Sequence, residues 1–458
     1  MTDLPLWQWR ELCSACQVPA VDGPDISGIS IDSRSLSPGD LFIALSGDPG
    51  PRFHSSGSSG KDGHEFIDAA IEAGAAGVMV SRDLDLAIPT LRVADTLDGL
   101  WQLGASRRTH MHGRVVAITG SGGKTTARQW LEQLLMGLGR PTHASTGSLN
   151  NHWGVPLSLA RMPRQSEFGI FEIGTNNPGE IAPLSKLVMP HIALVLNVLP
   201  AHLGRFPSLE AIRLEKLSIA DGLVPTGVMV IPETLPHSEV ASKNLITFGL
   251  GTTADVAGRV EYGPDFADVE VTIGAHSTVY RLPTTGEHRV LTSLAICAVL
   301  NQLGINIHDA VHGFSGLTIP SGRGNVRKAG GVVLVDDSYN ANPVSMRYAL
   351  EALGTAEGQK VAILGEMLEL GEEGRVMHQE IAGHCRELDG VVTVGEGFAS
   401  WPNGAASWGH FESAADIDVI SLANRLEPGA HVLIKGSNKV FWTSSFVAKL
   451  ASALESRD

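Results

Sequence analysis

The chain lacks the features that mark secreted and membrane proteins. Its 458 residues include 4 cysteines, too few for a disulfide framework, and such sparing use of cysteine is typical of a reducing cytoplasm. The first residues, Met1-Thr2-Asp3-Leu4, form neither the basic nor the apolar region of a signal peptide. No apolar run approaches the roughly 18 residues that a transmembrane helix requires. We therefore expect a cytoplasmic protein without stable membrane insertion.

Basic and aromatic residues are also scarce. Lys and Arg number 34 against 49 Asp and Glu, which leaves a formal net charge of −15, and aromatic residues make up 5% of the chain. This balance argues against a broad basic surface, so we expect no nucleic-acid partner. A local cluster of Lys, Arg and Mg²⁺ can still bind an anionic substrate. Cys13 and Cys16 have no second pair at zinc-site spacing, and we place them on one turn of an N-terminal helix.

The residues that are abundant suit a large α/β protein. Hydrophobic residues make up 43% of the chain, and 52 glycines and 24 prolines allow many turns. The length and the spacing of apolar runs predict three domains, at 1–97, 98–318 and 319–458. Because helical segments alternate with the runs, we expect mostly parallel sheets covered by helices. The predicted strands are 26–31, 41–44, 77–80, 115–118, 169–173, 192–197, 332–335, 361–364, 391–394 and 432–434, with a β-rich stretch at 255–282 and a helix at 290–303.

The most informative motif is the run Gly120-Ser121-Gly122-Gly123-Lys124-Thr125, between the strand 115–118 and a helical pattern. A glycine-rich turn at a helix N-terminus points backbone N–H groups at an anion. A lysine there reaches the outer phosphates, and a Thr hydroxyl holds Mg²⁺. Ile118 stands where the full Walker pattern has glycine, so the loop is a short variant. The alternative is a glycine-rich turn that caps a buried strand, but the flanking strand and helix favour nucleotide binding.

Polar residues follow the next predicted strands. Glu172 lies at the end of the strand 169–173, and the carboxyl ends of parallel strands meet at the ligand crevice. Glu172 is therefore placed to bind Mg²⁺ or to polarise water. Asn176, in the polar loop that follows, is a candidate substrate contact. His202 follows the strand 192–197 and is a candidate metal ligand, although a lone histidine is more often a loop residue without such a role.

Lys216 is predicted inside an apolar stripe. Ser208 can cap a helix that runs to about residue 223, and Lys216 shares one helical face with four apolar residues, Leu209, Ile212, Ile219 and Leu223. A buried lysine is costly unless its ammonium group reaches solvent, is paired or loses its charge. Burial lowers the pKa of a lysine, and a neutral amine can take up CO₂ to become a carbamate, an anionic metal ligand. The sequence leaves two interpretations of Lys216 open: a neutral amine that forms a carbamate, and an ammonium group that reaches solvent.

Three polar clusters mark the last segment. Asp336-Asp337-Ser338-Tyr339-Asn340 follows the strand 332–335, and Lys435-Gly436-Ser437 ends the strand 432–434. Arg323 lies between two glycines upstream and has the length to reach a phosphate. Each cluster alone is more often a solvated loop. Because all of them follow or precede strand ends, together they predict a ligand cleft.

These motifs resemble those of the Mur ligase family, and the match extends over nearly the whole chain. Within the family, the Asn-Asn-His run and the run 336–343 most resemble the ligases that join D-alanyl-D-alanine to UDP-N-acetylmuramoyl-tripeptide. The matching runs are Asp32-Ser33-Arg34, Asp62-Gly63-His64-Glu65-Phe66, 119–126, Asn150-Asn151-His152-Trp153-Gly154-Val155-Pro156, Glu172-Ile173-Gly174, Ala201-His202-Leu203, 336–343, Gly365-Glu366-Met367 and Lys435-Gly436-Ser437.

The resemblance implies an N-terminal UDP-sugar-binding domain, a central phosphate-loop domain and a C-terminal Rossmann-like domain. It also implies roles for single residues. The implied ATP contacts are Gly120, Ser121, Gly122, Gly123, Lys124, Thr125, Thr126, Arg323, Asp337, Tyr339 and Asn340. The implied UDP-sugar and peptide contacts are Ser33, Arg34, Asn150, Asn151, His152, Asn176, Lys435 and Ser437. The implied catalytic residues are Lys124, Glu172, His202 and Lys216, and the implied metal ligands are Thr125, Glu172, His202 and Lys216 as N6-carboxylysine.

The activity that the resemblance implies is ATP- and Mg²⁺-dependent amide ligation through an acyl phosphate, with the UDP-linked tripeptide, D-alanyl-D-alanine and ATP as partners of a monomer. Two departures stand out: Arg289 and Thr292 replace asparagines that usually lie near the adenine. They are the only support for a nucleotide-binding scaffold without ligase activity. A sister ligase that adds one amino acid is the nearer rival, and the run 336–343 argues against it.

Overall fold

The computed structural model describes residues 5–47, 61–200, 204–236, 244–263, 266–368, 370–371, 374–401 and 407–457. The chain divides into two compact units. The first consists of Met1–Val198 and Arg213–Leu317, and the second of Leu199–Ile212 and Thr318–Asp458. Two of the three sheets lie in the first unit and one lies in the second.

A parallel sheet of four strands opens the first unit. Its strands follow one another in chain order: β1 (Gly28–Ser30), β2 (Asp40–Ile43), β3 (Gly77–Val80) and β4 (Thr90–Arg92). Its helices are α1 (Trp9–Ala15), α2 (Ile67–Glu72) and α3 (Thr96–Thr109). Every residue of β2 and β3 is buried, as expected for parallel strands covered on both faces. Cys13 lies in α1 and Cys16 caps its C-terminus, which confirms the predicted helical turn.

The nine-stranded sheet of the first unit carries the phosphate-loop motif. Its spatial order is β13-β12-β11-β10-β9-β8-β5-β7-β6. The strands are β5 (Arg114–Thr119), β6 (Thr142–Ala144), β7 (Phe168–Glu172), β8 (Ile192–Val195), β9 (Val228–Pro232), β10 (Leu245–Gly249), β11 (Val256–Tyr262), β12 (Ala267–Ile273) and β13 (His276–Leu282). Pairing is parallel from β6 to β11 and antiparallel among β11, β12 and β13. β5 and β7 lie side by side, so their carboxyl ends open at the same edge of the sheet.

Helices cover this second sheet. They are α4 (Lys124–Gly137), α5 (Gly154–Ala160), α6 (Ile181–Val188), α8 (Glu287–Gln302) and α9 (Ile307–Phe314). A further helix, α7 (Leu209–Leu217), contains the point after Ile212 at which the chain passes from the second unit to the first. A short 3₁₀ helix, Ser218–Gly222, continues α7.

The second unit contains a six-stranded sheet with the order β14-β15-β19-β16-β17-β18. Its strands are β14 (Asn325–Ala329), β15 (Val332–Asp337), β16 (Lys360–Gly365), β17 (Gly390–Val394), β18 (Ser407–Phe411) and β19 (His431–Lys435), and β14 is antiparallel to the rest. Its helices are α10 (Pro343–Gly354), α11 (Gly374–Ile381), α12 (Val419–Asn424), α13 (Asn438–Phe441) and α14 (Phe446–Glu455). Pro343 at the first position of α10 and the Asn342 side chain as its N-cap fix where that helix begins.

The predicted α/β class, with mostly parallel sheets, is confirmed. The prediction omits β4, β6, β14 and β18, which are edge strands, and also β9 and β10. Edge strands pack on fewer neighbours, so their residues form weaker apolar runs. The boundaries at 97 and 318 stay predictions. In the parts of the chain that the structure describes, no helix is both long and apolar enough to cross a bilayer.

Candidate active site

The phosphate-loop motif adopts the strand–loop–helix geometry predicted from the sequence. β5 ends at Thr119, and α4 begins at Lys124 with Gly123 as its N-cap. Gly120 has φ 153° and Gly123 has φ 79°, conformations that residues with a Cβ rarely adopt. Lys124 Nζ donates to Gly120 O at 2.8 Å, so the ammonium group folds back over the loop. The loop therefore brings a helix N-terminus and a lysine together in one place.

Asn197, just beyond β8, fastens this loop and was missed by the sequence reasoning. Its Oδ1 accepts from Gly122 N at 2.9 Å, and its Nδ2 donates to Gly122 O at 3.1 Å. Its backbone carbonyl also accepts from Ser121 N at 3.2 Å. The motif gives no sign of this contact, because Asn197 is 75 residues away in sequence. The one available signal is its position at the carboxyl end of the strand beside β5.

Thr125, Glu172 and Asn150 form one hydrogen-bonded group beside the loop. Thr125 Oγ1 donates to Glu172 Oε2 at 2.9 Å, and Asn150 Nδ2 donates to Glu172 Oε1 at 2.7 Å. Glu172 is 2% exposed and Thr125 is 7% exposed. The structure thus joins three residues with different predicted roles: Glu172 as a metal ligand, Thr125 as the phosphate-loop hydroxyl and Asn150 as a substrate contact.

Lys216 is buried, as the stripe predicts, with 2% of its surface exposed. Burial, aided by the positive charge of Lys124, lowers the pKa of Lys216 to about 7. The reading in which its ammonium group reaches solvent is therefore wrong. The helix predicted to run to about residue 223 is α-helical only up to Leu217 and continues as the 3₁₀ helix Ser218–Gly222. Leu209 is 45% exposed rather than part of the buried face.

Two glutamates shape the loop that follows β7. Glu215 accepts from Gly179 N at 2.7 Å and from Ile181 N at 2.9 Å, and it thereby caps the start of α6. Glu180 accepts from Asn176 N at 2.8 Å and from Asn177 Nδ2 at 2.8 Å. The side chain of Asn176 is exposed, so it stays available as the predicted substrate contact. Glu215 directly precedes Lys216 in the chain and fixes the turn at 179–181. The sequence reasoning missed this residue.

The three residues of the Asn150-Asn151-His152 run make different contacts. Asn151 Oδ1 accepts from Trp153 N at 3.2 Å and from Gly154 N at 2.9 Å, at the start of α5. Asn151 therefore acts as a helix cap in this structure, alongside its predicted role in substrate binding. The His152 carbonyl accepts from Trp101 Nε1 at 2.9 Å, and burial lowers the pKa of the His152 imidazole.

The start of α8 lies beside the phosphate loop. A methyl group built on Gly123 would lie 3.6 Å from Thr292 Oγ1, and that hydroxyl donates to His288 O at 2.8 Å. Arg289 Nη1 donates to Thr284 Oγ1. Of the two departures from the family pattern, Thr292 therefore lies beside the phosphate loop, and Arg289 is bonded to the turn that precedes α8.

The residues present suit Mg²⁺, which prefers oxygen ligands. The Thr125 hydroxyl and the Glu172 carboxylate lie 2.9 Å apart, and both are oxygen donors. Among the described residues, no group of three or more His, Cys, Asp or Glu side chains is placed to hold a metal ion. His202 lies outside the described residues. Lys216 supplies an oxygen donor only after it becomes a carbamate.

Ser33 and Arg34 lie in a short 3₁₀ helix after β1, in the first sheet's domain. Arg34 Nη2 donates to Asp32 Oδ2 at 2.7 Å, and Arg34 Nε donates to Asp32 Oδ1 at 2.9 Å. The Arg34 side chain is 87% exposed. Arg34 is thus paired with Asp32 at the surface, and its role as a UDP contact stays a prediction.

In the second unit, the predicted site residues Lys435 and Asp337 form an ion pair. Lys435 Nζ lies 2.6 Å from Asp337 Oδ2 and donates to Asn340 O at 3.1 Å. Lys435 is 2% exposed. Ser437 Oγ accepts from Leu368 N at 3.0 Å, just after β19. The predicted contacts at the ends of β15 and β19 therefore do lie together.

Arg323 and Tyr339 also meet in the second unit. The guanidinium carbon of Arg323 lies 4.3 Å from the centre of the Tyr339 ring. The Tyr339 ring in turn makes an edge-on contact with Trp442, with centres 5.4 Å apart. Gly322, with φ 74°, allows this approach, because a Cβ there would lie 2.6 Å from the Trp442 ring. Trp442 is 43% exposed and was not predicted as a site residue.

Comparisons with known proteins agree with this arrangement. Three family models match the chain: "Mur ligase family, catalytic domain" over 25–97, "Mur ligase middle domain" over 118–300, and "Mur ligase, glutamate ligase domain" over 322–438. The three matches fall on the three sheets in turn.

The chain is also similar to individual enzymes over most of its length. The UDP-N-acetylmuramoyl-tripeptide–D-alanyl-D-alanine ligase of Bacillus subtilis (strain 168) is 33% identical over 407 residues, which cover 86% of this chain and 85% of that protein. The crystal structure of MurF from Acinetobacter baumannii superposes with a TM-score of 0.83 at 32% identity and covers 97% and 99% of the two chains. MurF ligase from Thermotoga maritima, solved in complex with ADP, gives 0.80 at 29% identity over 94% and 98%. The chain therefore belongs to the Mur ligase family, in its MurF branch.

Proposed function

We propose that this chain joins D-alanyl-D-alanine to UDP-N-acetylmuramoyl-tripeptide, using ATP, and releases UDP-N-acetylmuramoyl-pentapeptide, ADP and phosphate. The observation that carries the proposal is the phosphate loop whose Thr125 hydroxyl is bonded to the buried Glu172 at 2.9 Å. The relative with this activity in its name, at 33% identity over 86% of the chain, supports the same reaction and its place in peptidoglycan precursor synthesis.

The first step must activate a carboxylate, because a carboxylate is a poor electrophile and does not condense with an amine at neutral pH. An oxygen of the tripeptide carboxylate attacks the γ-phosphorus of ATP, the bond to the β-phosphate oxygen breaks, and ADP leaves. Two anions approach each other in this step. The Lys124 ammonium group and the N-terminus of α4 hold the phosphates and offset the repulsion, and positioning supplies most of the remaining rate gain.

In the second step the amine of D-alanyl-D-alanine attacks the acyl carbon. A tetrahedral intermediate forms, its bond to the phosphate oxygen breaks, and inorganic phosphate leaves with the bonding electron pair. The amine loses a proton as the amide forms. The acyl phosphate is prone to hydrolysis, so the site must exclude water until the amine is in place.

Mg²⁺ would be held by Thr125, Glu172, His202 and Lys216 as N6-carboxylysine. When bound, it would supply positive charge to the transferring phosphoryl group. The neutral Lys216 amine forms a carbamate by adding CO₂ and releasing one proton. Its pKa of about 7 supports this reaction, because a large fraction of the amine is unprotonated at neutral pH.

The remaining family-implied contacts belong to the same proposal. Thr126, Arg323, Tyr339 and Asn340 stay predicted ATP contacts, and His152 stays a predicted substrate contact. We also propose that the three domains divide near 97 and 318, and that the protein is a cytoplasmic monomer. The four cysteines, Cys13, Cys16, Cys297 and Cys385, are all buried free thiols, which supports a reducing compartment.

The test is phosphate release from ATP and Mg²⁺ in the presence of UDP-N-acetylmuramoyl-tripeptide, with and without D-alanyl-D-alanine. We expect release to require both substrates, and mass spectrometry to detect the UDP-linked pentapeptide. Single D-alanine in place of the dipeptide is the matched control for a ligase that adds one amino acid. Binding of ATP without phosphate release under any of these conditions would overturn the proposal and favour a scaffold.

A further inference from the structure

A pocket of about 170 Å³ lies on the first unit, between α1, the C-terminal end of α3 and the loop that follows α5. No residue of the phosphate loop lines it. A cavity of roughly 150 Å³ is known to hold one benzene molecule. The pocket therefore has room for a ligand of about six or seven non-hydrogen atoms.

Arg107, in the last turn of α3, lines this pocket and is buried, with 2% of its surface exposed. Its Nη2 donates to Leu6 O, and its guanidinium carbon lies 3.9 Å from the centre of the Trp7 ring. Its Nε is buried and has no acceptor among the described residues. Burial lowers the pKa of Arg107 to about 10, so the group is still a cation at neutral pH. A buried cation of this kind is costly without an anionic partner.

The pocket does not supply that partner. Glu11 is the single acidic residue among those that line it, and Arg164 Nη2 already donates to Glu11 Oε1. Glu11 Oε2 also accepts from Gln8 N at 3.2 Å, as part of the cap of α1. The charges of Glu11 and Arg164 offset each other, which leaves the charge of Arg107 uncompensated.

The other lining residues suit an oxyanion. Ser14 and Ser106 bring hydroxyl groups, which donate readily to anionic oxygens. His110, also on the wall, is exposed and lies near solvent. Arg164 lines the same pocket, and its side chain is 48% exposed. Two arginines line this one small cavity, and the guanidinium group matches the geometry of carboxylate and phosphate groups.

We propose that this pocket binds a small oxyanion, through a carboxylate or phosphate group held by Arg107 and Arg164. The site is separate from the phosphate loop and does not depend on the ligase reaction. The ligand is a compact molecule, because the pocket has room for about six or seven non-hydrogen atoms.

The experiment is isothermal titration calorimetry on the full chain with ADP and Mg²⁺ present, so that the phosphate loop is occupied. The probes are malonate and inorganic phosphate, and potassium chloride at equal ionic strength is the control. We expect saturable binding of at least one probe. Preference for malonate assigns a carboxylate ligand, and preference for phosphate assigns a phosphate ligand.

Variants separate this site from general anion binding. Arg107→Met should weaken binding about tenfold or more, because it removes charge-assisted hydrogen bonds but keeps the stem. Glu11→Gln should strengthen binding several-fold, because it removes the competing carboxylate. Arg108→Met is the matched control: Arg108 is a buried neighbour on α3 that donates to Val188 O and Met189 O and does not line the pocket.

Arg164→Gln covers the case in which Arg107→Met fails to fold, since Arg164 is half exposed. It should weaken binding several-fold, because it removes one anchor and frees Glu11 to pair with Arg107. The proposal is overturned if neither probe binds saturably to the wild-type protein. It is also overturned if Arg107→Met and Arg164→Gln bind the probes as tightly as the wild type does.

Discussion

At the scale of single residues, the chemistry depends on side chains whose charge the fold controls. Lys216 is the clearest case, because burial and the nearby charge of Lys124 bring the pKa of its amine to about 7. Lys124 itself folds over the phosphate loop through its bond to Gly120 O. Both lysines have roles that can be tested by removing the amine while the fold is kept.

Lys124→Ala is expected to lower the rate of ATP-dependent phosphate release by a thousandfold or more, on the order of what charge stabilisation of a transferring phosphoryl group supplies. Lys186→Ala is the control, because Lys186 is a 63% exposed lysine on α6 whose only described ion pair is with Asp221 at the surface. Turnover of Lys124→Ala at the wild-type rate would contradict its assignment.

Lys216→Ala is expected to lower activity at least a hundredfold and to regain part of it when short carboxylic acids are added. A carboxylate that enters the space left by the side chain replaces the lost carbamate. Lys216→Met, which fills that space, should be equally inactive and should not respond to the acids. Wild-type activity in Lys216→Ala without added acid would exclude the carbamate.

At the scale of elements, the ends of β5, β7 and β8 converge and place side chains from distant parts of the chain around one loop. Thr125 meets Glu172 across 47 residues of sequence, and Gly122 meets Asn197 across 75. Parallel pairing of β5 with both β7 and β8 makes these contacts possible. Side chains also fasten the starts of two helices: Asn151 accepts from Gly154 N at the start of α5, and Glu215 of α7 accepts from Ile181 N at the start of α6.

Asn197→Ala should raise the KM for ATP about tenfold with a smaller change in kcat. The substitution removes two hydrogen bonds that hold the Gly122 peptide, each worth about 1 kcal/mol. The loop would then have to be ordered by the nucleotide. Asn301→Ala, at an exposed position on α8, is the control. Steady-state kinetics over a range of ATP concentrations measures both constants, and an unchanged KM would remove Asn197 from the nucleotide site.

Asn151→Ala tests the helix-cap role against the predicted substrate role. Loss of a cap should lower the free energy of unfolding by about 1 kcal/mol, and Asn151→Ser should restore most of it, because serine also caps helices. A substrate contact would instead appear as a raised KM for the UDP-linked tripeptide in both variants. Denaturant titration together with kinetics distinguishes the two roles.

At the scale of the whole molecule, four histidines that are buried or partly buried link stability to pH. Burial lowers the pKa of both His143 and His191 to about 4, and it also lowers the pKa of His152 and His378. Below about pH 6.5 the unfolded chain binds protons that the folded chain does not. The stability that these neutral imidazoles support is therefore complete above pH 6.5 and is lost as the pH falls toward 4.

We expect the free energy of unfolding to fall between pH 6.5 and 4, with up to about 3 kcal/mol of the loss attributable to His143. His191→Asn should flatten this dependence, because an amide oxygen can accept the Val115 N–H that His191 Nδ1 accepts at 3.0 Å, yet does not titrate. His276→Asn, on an exposed part of β13, is the control. Identical pH profiles for His191→Asn and wild type would contradict this account.

The sequence by itself determined the features that depend on neighbours along the chain. The phosphate loop follows from a strand, glycines and a helix in succession, and the burial of Lys216 follows from helical spacing. The α/β class follows from the alternation of apolar runs with helical segments. These patterns are local, and local backbone preferences and periodicity express them directly.

Only the tertiary structure decided which distant residues complete the site. Asn197, which binds the phosphate loop, and Glu215, which binds the start of α6, are polar residues without a recognisable motif. Sheet pairing and helix packing bring them to their partners. The exposure of Leu209, the end of α7 at Leu217 and the uncompensated charge of Arg107 were likewise settled by packing. Burial and pairing depend on the whole fold, so the spacing of residues along the chain does not reveal them.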